Sequence, residues 1–215
     1  ESWSKLIRVL THEIMNTVTP IASLSETLSS YMVDKDADSD VLAGLETISQ
    51  SSRGLIKFVE SYRNLTRVAA PVKKAFYVRE MIDRVIQLTA QQTSEAGAVC
   101  TYLEKSDDIL LYADESQISQ ILINLIRNAC QAGANKVEIT AELDRSDSVF
   151  IHVTNNGRPI SKESREEIFV PFYTTKQEGT GIGLSLSRQI MRLHNGTLTL
   201  TRSDETGTVF TLFFK

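Results

Sequence analysis

The feature that most limits the fold of this chain is a seam of apolar residues that repeats every three or four positions over residues 2–32. One polar residue, Thr17, interrupts a seam that otherwise consists of Trp3, Ile7, Leu10, Ile14, Ile21, Leu24 and Leu28. This is the heptad pattern of a helix that packs against other helices. After an acidic break at residues 33–40, a second seam follows, made of Val41, Leu45, Ile48, Leu55, Val59 and Tyr62.

Two helices cannot enclose a hydrophobic core by themselves, whereas four helices from two copies of the chain can. The two seams therefore predict a helical hairpin that forms a four-helix bundle in a homodimer. The helical part should end near Ala70-Pro71, because proline disfavours helix in the residue before it. We accordingly expect a first domain over residues 1–70 and a second over residues 71–215.

The second part alternates strand-like and helical patterns. Helices are predicted over 79–96, 115–133 and 181–194, the second of them with Asp114 as its N-cap. Strands are predicted near Phe76 and over 98–103, 109–112, 136–143, 148–154, 197–202 and 207–214. This order predicts an α/β sandwich, a mixed sheet with one face covered by helices, and makes the whole chain α+β.

Composition excludes some classes of function. The formal net charge is −4, which argues against a nucleic-acid-binding protein, since such affinity comes largely from neutralising phosphates. No run approaches the roughly 18 apolar residues that a membrane-spanning helix needs. We therefore expect a cytoplasmic protein, or the cytoplasmic part of a membrane-anchored one.

The first candidate site is the segment His12-Glu13-Ile14-Met15-Asn16. His12 lies opposite the seam, with Asn16 one turn further on the same face. Glu13 can accept a hydrogen bond from one imidazole nitrogen and leave the other as a nucleophile, and Asn16 could hold a water molecule near a phosphohistidine. The alternative is that His12 is an ordinary solvated histidine on the surface of the helix. Pro20 marks either a hinge or a tolerated bend.

A second candidate site is the helix that carries Asn124, Asn128 and Gln131. Their spacings of four and three place the three amides on one face, while Ile121, Leu122, Leu125 and Ile126 fill the buried side. The amides either bridge to a neighbouring loop or bind phosphates and a hydrated Mg²⁺, which takes few protein ligands.

The third segment is glycine-rich, residues 179–184, and leads into a helix. Glycines let backbone N–H groups approach phosphate, and the helix N-terminus favours an anion. Just before it come Thr174, Thr175 and Lys176, which supply two hydroxyls and a cation. The alternative for Lys176 is that it is an ordinary solvated charge in a loop. Asn155-Asn156-Gly157 ends a strand as a turn and can also contact a nucleotide.

In their order and spacing these segments resemble the motifs of sensor histidine kinases. HEIMN is similar to the phosphoacceptor box, and NLIRNACQA to the asparagine box shared with gyrase, the Hsp90 chaperones and the mismatch-repair ATPases. IFVPFYTTK resembles the phenylalanine box, GTGIGL the second glycine box, and residues 206–210 the last glycine motif. The short TTKQEGTGIGL segment is most similar to the nitrogen-regulation sensor branch.

The resemblance implies ATP-dependent autophosphorylation of His12, with Glu13 polarising it, and transfer of the phosphoryl group to an aspartate of a response regulator receiver domain. It further implies that Asn16 positions water for dephosphorylating that regulator and that Asn128 binds Mg²⁺. The nucleotide-binding residues it implies are Asn124, Asn128, Gln131, Asn155, Gly157, Thr174, Thr175, Lys176, Gly179, Thr180, Gly181, Ile182, Gly183, Leu184 and Thr208.

The chain departs from the family at the first glycine box, which is typically Asp-x-Gly-x-Gly. Here Asn155 replaces the aspartate and Pro159 the second glycine. An amide oxygen can still accept a hydrogen bond from the adenine amine, but without a negative charge to strengthen it. The loss in binding free energy is about 1 kcal/mol. This departure motivates an alternative, a catalytically weak module that docks a response regulator. A chaperone or repair ATPase of the same superfamily is the third possibility, against which the His12 segment argues.

Overall fold

A computed structural model describes the backbone of residues 2–33, 39–66, 68–174 and 181–215. The chain divides into two compact units, Glu1–Arg67 and Val68–Lys215. Most of the break predicted at 33–40 lies outside the described residues. Among the helices described, none is long and apolar enough to cross a membrane.

The first unit is the predicted helical hairpin. Helix α1 spans Ser2–Val33, with Pro20 inside it, and helix α2 spans Ser39–Thr66. The interior of the hairpin is made of small side chains, and the buried residues are Val18, Ala22, Ser25, Ser49, Ser52 and Val59. Across the two helices, Arg53 Nε donates to Glu26 Oε1 over 2.8 Å, and Ser49 Oγ donates to the same oxygen.

Larger apolar side chains of the hairpin lie on its outside. We call this set the apolar stripe, and it consists of Ile21, Leu24, Leu28, Val41, Ile48, Leu55 and Phe58, all of them exposed. All but Phe58 belong to the seams that the sequence predicts. A single hairpin therefore leaves exposed six of the nine apolar seam residues whose side chains are described.

The second unit is built from the remaining elements, whose order confirms the predicted mixed sheet covered by helices. These are β1 Lys74–Tyr77, α3 Val78–Glu95, β2 Val99–Glu104, β3 Leu110–Ala113, α4 Glu115–Gln131, β4 Lys136–Leu143, β5 Val149–Asn155, α5 Ser164–Glu167, α6 Gly183–Leu193, β6 Thr197–Asp204 and β7 Gly207–Phe214. Five strands form one sheet in the order β2-β4-β5-β7-β6. Only β2 and β4 run parallel in it. Strands β1 and β3 form a separate antiparallel pair.

The core lies between the five-stranded sheet and helices α3, α4 and α6. Alternate residues of β5 point inward, as period-two patterning requires, and Ile151 is fully buried. Helix α4 contributes one apolar face, made of Ile118, Ile121, Leu122, Leu125 and Ile126. At the sheet edge, the pairing of β6 with β7 shifts register between Leu200 and Arg202, which marks a β-bulge.

Asp114 caps helix α4, as predicted, and connects it to two other segments. Its carboxylate accepts from the backbone N–H groups of Ser116, Gln117 and Val72. Its own N–H donates to His194 Nε2, just after helix α6. Burial alone would raise the pKa of Asp114, but these hydrogen bonds outweigh burial and hold the pKa below its usual value of 3.8.

Replacing Asp114→Ala should lower the free energy of unfolding by about 2 kcal/mol at pH 7, because the cap and the bond to Val72 are both lost. Since the folded-state pKa is depressed, the carboxylate stabilises the fold above the unfolded pKa. That contribution disappears as the pH falls below about 4. Urea unfolding followed by circular dichroism should therefore show a deficit that shrinks in acid. The exposed Asp107→Ala is the matched control; an equal loss there, or a pH-independent deficit, would contradict this account.

Candidate active site

One cavity of about 580 Å³ opens beside helix α4. Its walls come from α4, the ends of β5 and β7, the segment around α5, and the start of α6. Nine of the residues predicted to bind nucleotide line it: Asn124, Asn128, Gln131, Asn155, Thr174, Gly181, Gly183, Leu184 and Thr208. Residues far apart in sequence are thus brought to a single pocket.

The polar face of α4 reaches the cavity because its opposite face is held in the core. Within this polar face, Asn124 is nearly buried and its amide is engaged on both sides. Its Nδ2 donates to Ser187 Oγ in helix α6 over 3.2 Å, and its Oδ1 accepts from Arg127 over 3.0 Å. Asn124 therefore connects α4 to α6 and orients the Arg127 guanidinium.

The start of α6 has the features of an anion site. Its N-cap position is occupied by Ile182, which offers no side-chain cap to the first-turn N–H groups. A Cβ at Gly183 would overlap the Asn124 side chain, so only glycine lets α6 begin this close to α4. An uncapped helix N-terminus that opens on a cavity attracts negative charge.

A second close approach joins Phe172 to Gly181, just before the start of helix α6. Phe172 donates its backbone N–H to the carbonyl of Gly181 over 3.0 Å. Gly181 has φ +67° and Phe172 has φ +69°, and a Cβ at position 181 would overlap the Phe172 backbone. A glycine is required here both for its left-handed conformation and for lack of space.

At the other end of the cavity, Asn155 and Thr208 face each other across the β5–β7 ladder. Asn155 is only 6% exposed, and its Oδ1 accepts from the backbone N–H of Gly157 over 3.0 Å. The oxygen expected to accept from a base thus already accepts one hydrogen bond within the turn, which fixes the orientation of the amide. Gly157 shapes this turn without lining the cavity, and Ile182 is buried at the start of α6.

Several residues of the cavity were not predicted from the sequence. Arg127 and Arg158 both line it, and within the ranges described no carboxylate forms an ion pair with either. Arg127 stands between two predicted asparagines, so its position on the same helix was the available signal. The other lining residues outside the predicted set are Ala129, Ala132, Pro159, Ile160, Ser161, Ser164, Ile168, Tyr173 and Phe210.

Some predicted residues cannot be placed. Thr175, Lys176, Gly179 and Thr180 lie outside the described residues. His12 and Glu13 are in helix α1, but their side chains are outside the description as well. Asn16 is an exposed residue of α1, in the first unit.

The arrangement suits an elongated ligand with an anionic end. Arg127, Arg158 and the N-terminus of α6 supply positive potential to the cavity. Ile160, Ile168 and Phe210 add apolar lining. Both arginines are exposed residues that line the cavity, so an anion inside it can accept hydrogen bonds from either guanidinium group.

Comparison with known proteins gives a consistent result. Residues 113–215 match the family described as histidine kinase-, DNA gyrase B-, and HSP90-like ATPase. The sensor histidine kinase ZraS of Salmonella typhi is 28% identical over 207 residues, which cover 94% of this chain and 43% of ZraS. The chain thus spans less than half the length of the curated relatives it matches.

Solved structures show the same likeness. The catalytic domain of the histidine kinase ThkA is 34% identical, covers 66% of this chain and 94% of that domain, and superposes with a TM-score of 0.60. ThkA in complex with the response regulator protein TrrA is 28% identical, covers 98% of this chain and 60% of that one, and has a TM-score of 0.66.

Gly181→Ala should weaken ATP binding about tenfold, because the contact with Phe172 must open and the left-handed φ becomes strained. Isothermal titration calorimetry on the purified chain measures the effect. Gly54→Ala is the matched control, because a Cβ at this position of helix α2 would stand in open space. This variant should bind ATP with unchanged affinity. Equal ATP affinity for Gly181→Ala and the unaltered chain would show that this close approach does not shape the ligand site.

Proposed function

The chain belongs to the sensor histidine kinase family, and from that membership we propose that it binds ATP, phosphorylates itself on His12 and passes the phosphoryl group to an aspartate of a response regulator. The observation that carries this proposal is the cavity beside α4. It combines polar amides, two arginines that have no acidic partner among the described residues, and a helix whose N-cap residue, Ile182, provides no side-chain cap.

In this proposal the triphosphate lies at the start of α6. Its oxygens would accept from the first N–H groups of that helix and from Arg127 and Arg158. Thr175, Lys176, Gly179 and Thr180, which lie outside the described residues, are also proposed to bind the nucleotide. The base would reach the wall near Asn155 and Thr208.

Asn128 is the residue proposed to hold Mg²⁺. Its amide oxygen is a suitable ligand for a hard cation, and it shares the cavity wall with the groups assigned to the phosphates. When bound, Mg²⁺ would neutralise charge that develops on the phosphates. Gln131, one turn along the same helix, would face the same end of the nucleotide.

Phosphoryl transfer would use the residues of the first unit. Glu13 would accept a hydrogen bond from one imidazole nitrogen of His12. The other nitrogen would then attack the γ-phosphorus as the bond to the bridging oxygen breaks and ADP leaves. Asn16, one turn along α1, would hold the water that later hydrolyses the regulator's aspartyl phosphate. Domain 1–70 would thus carry the acceptor, and domain 71–215 the nucleotide.

We also propose that the chain is a homodimer joined through the apolar stripe. A single hairpin exposes these side chains, and burial of each apolar Å² stabilises by about 25 cal/mol. A second copy would cover them in a four-helix bundle. The response regulator is the expected transient partner, because ThkA, a relative that covers 98% of this chain, is known in complex with one.

Labelling with γ-phosphate-labelled ATP and Mg²⁺ tests the kinase. The unaltered chain should take up an acid-labile, base-stable label, and His12→Gln should lose it because the nucleophile is gone. His152→Gln is the matched control, since His152 lies on the sheet and bonds to Thr211 and Glu142 instead of lining the cavity, and it should retain the label. A folded, dimeric chain that takes up no label would favour the alternative, a module that only docks a response regulator.

Leu24→Glu should shift the chain from dimer to monomer, because a carboxylate would be buried where an exposed leucine of the stripe packs. The dimer dissociation constant should rise by at least about a hundredfold, which sedimentation equilibrium resolves. Ser30→Glu adds the same charge at an exposed position outside the stripe and should leave the constant unchanged. A dimer of normal stability in Leu24→Glu would place the contact on another surface.

A further inference from the structure

The hydrogen bond that holds Asn155 decides which of its atoms meets a ligand. Asn155 Oδ1 accepts from the N–H of Gly157 over 3.0 Å. Within the described part of the chain, no acceptor bonds to Asn155 Nδ2, and the residue lines the cavity. The amide therefore presents an N–H donor to whatever occupies this end of the pocket.

The turn after β5 keeps the amide in this orientation. Arg158 donates its backbone N–H to the carbonyl of Ala132 over 2.9 Å, and Asn156 Oδ1 accepts from the N–H groups of Asn135 and Lys136. A Cβ at Gly157 would stand 2.9 Å from that of Ala132, so the turn is tightly packed. Rotating the Asn155 amide by half a turn would set its NH₂ against the Gly157 N–H, two donors facing each other.

A carboxylate at this position would behave differently. One of its oxygens could accept from Gly157 while the other remained an acceptor for the exocyclic amine of adenine. In Asn155 that second oxygen is replaced by NH₂. In the proposed binding mode, the residue near the base thus offers a donor, which repels the 6-amino group of adenine and pairs with a 6-oxo group.

We infer that Asn155 relaxes the base preference of this cleft, so that 6-oxopurine nucleoside triphosphates bind alongside ATP. The inference rests on the proposed function, which places the triphosphate at α6 and the base near Asn155. Inosine triphosphate is the sharpest probe, because its base carries the 6-oxo group and lacks the 2-amino group of guanine.

Calorimetric titration of the whole chain with ATP and with inosine triphosphate, each with Mg²⁺, tests the inference. The unaltered chain should bind the two within about threefold of each other, whereas Asn155→Asp should favour ATP by at least about tenfold. Asn195→Asp adds the same charge at an exposed position away from the cavity, and its ratio should match that of the unaltered chain.

The outcomes separate this inference from the proposed function. If ATP binds and inosine triphosphate is rejected by roughly thirtyfold or more, the base inference is wrong and the kinase proposal stands. An unchanged ratio in Asn155→Asp, or an equal shift in Asn195→Asp, would also overturn the inference. Failure of both nucleotides to bind would overturn both proposals. Should Asn155→Asp not fold, the ratio measured on the unaltered chain decides.

Discussion

The geometry of the cavity depends on how closely helix α6 begins beside helix α4. Gly183 leaves no Cβ between them, and Asn124 fills that space with an amide that bonds to Ser187. The same amide orients Arg127, so the side chain of Asn124 fixes both the packing of the two helices and the position of a positive charge. Because the opposite face of α4 is held in the core, neither helix can turn without disturbing the other.

Most of the fold could be predicted from periodic patterns in the sequence. The long helices and the strands repeat at periods that a sequence displays directly, which is why the hairpin and the mixed sheet were predicted. Helix α5, Ser164–Glu167, is too short to show a period and was missed. Arg158 lines the cavity only because of the turn after β5, and the orientation of the Asn155 amide depends on its hydrogen bond to Gly157. Neither the position of Arg158 nor this orientation can be predicted without the geometry of that turn.

The hairpin shows a different limit of pattern reading. A heptad seam says that a face is buried, but not whether the covering helix belongs to the same chain. Here small residues such as Ala22 and Ser52 lie between the two helices, and the larger seam residues such as Leu24 point away from both. Separating the two sets required knowing which residues the hairpin itself covers. The dimer that would cover the rest stays a prediction.

The β-bulge in β6 bears on how the protein behaves at high concentration. An edge strand with a regular row of free backbone groups is a template on which other molecules can add strands, a route to aggregation. Between Leu200 and Arg202 that row loses its regular spacing. Strand addition along this edge would be interrupted there. The fold thus discourages uncontrolled self-association through this edge of the sheet while the hairpin remains open to a specific partner.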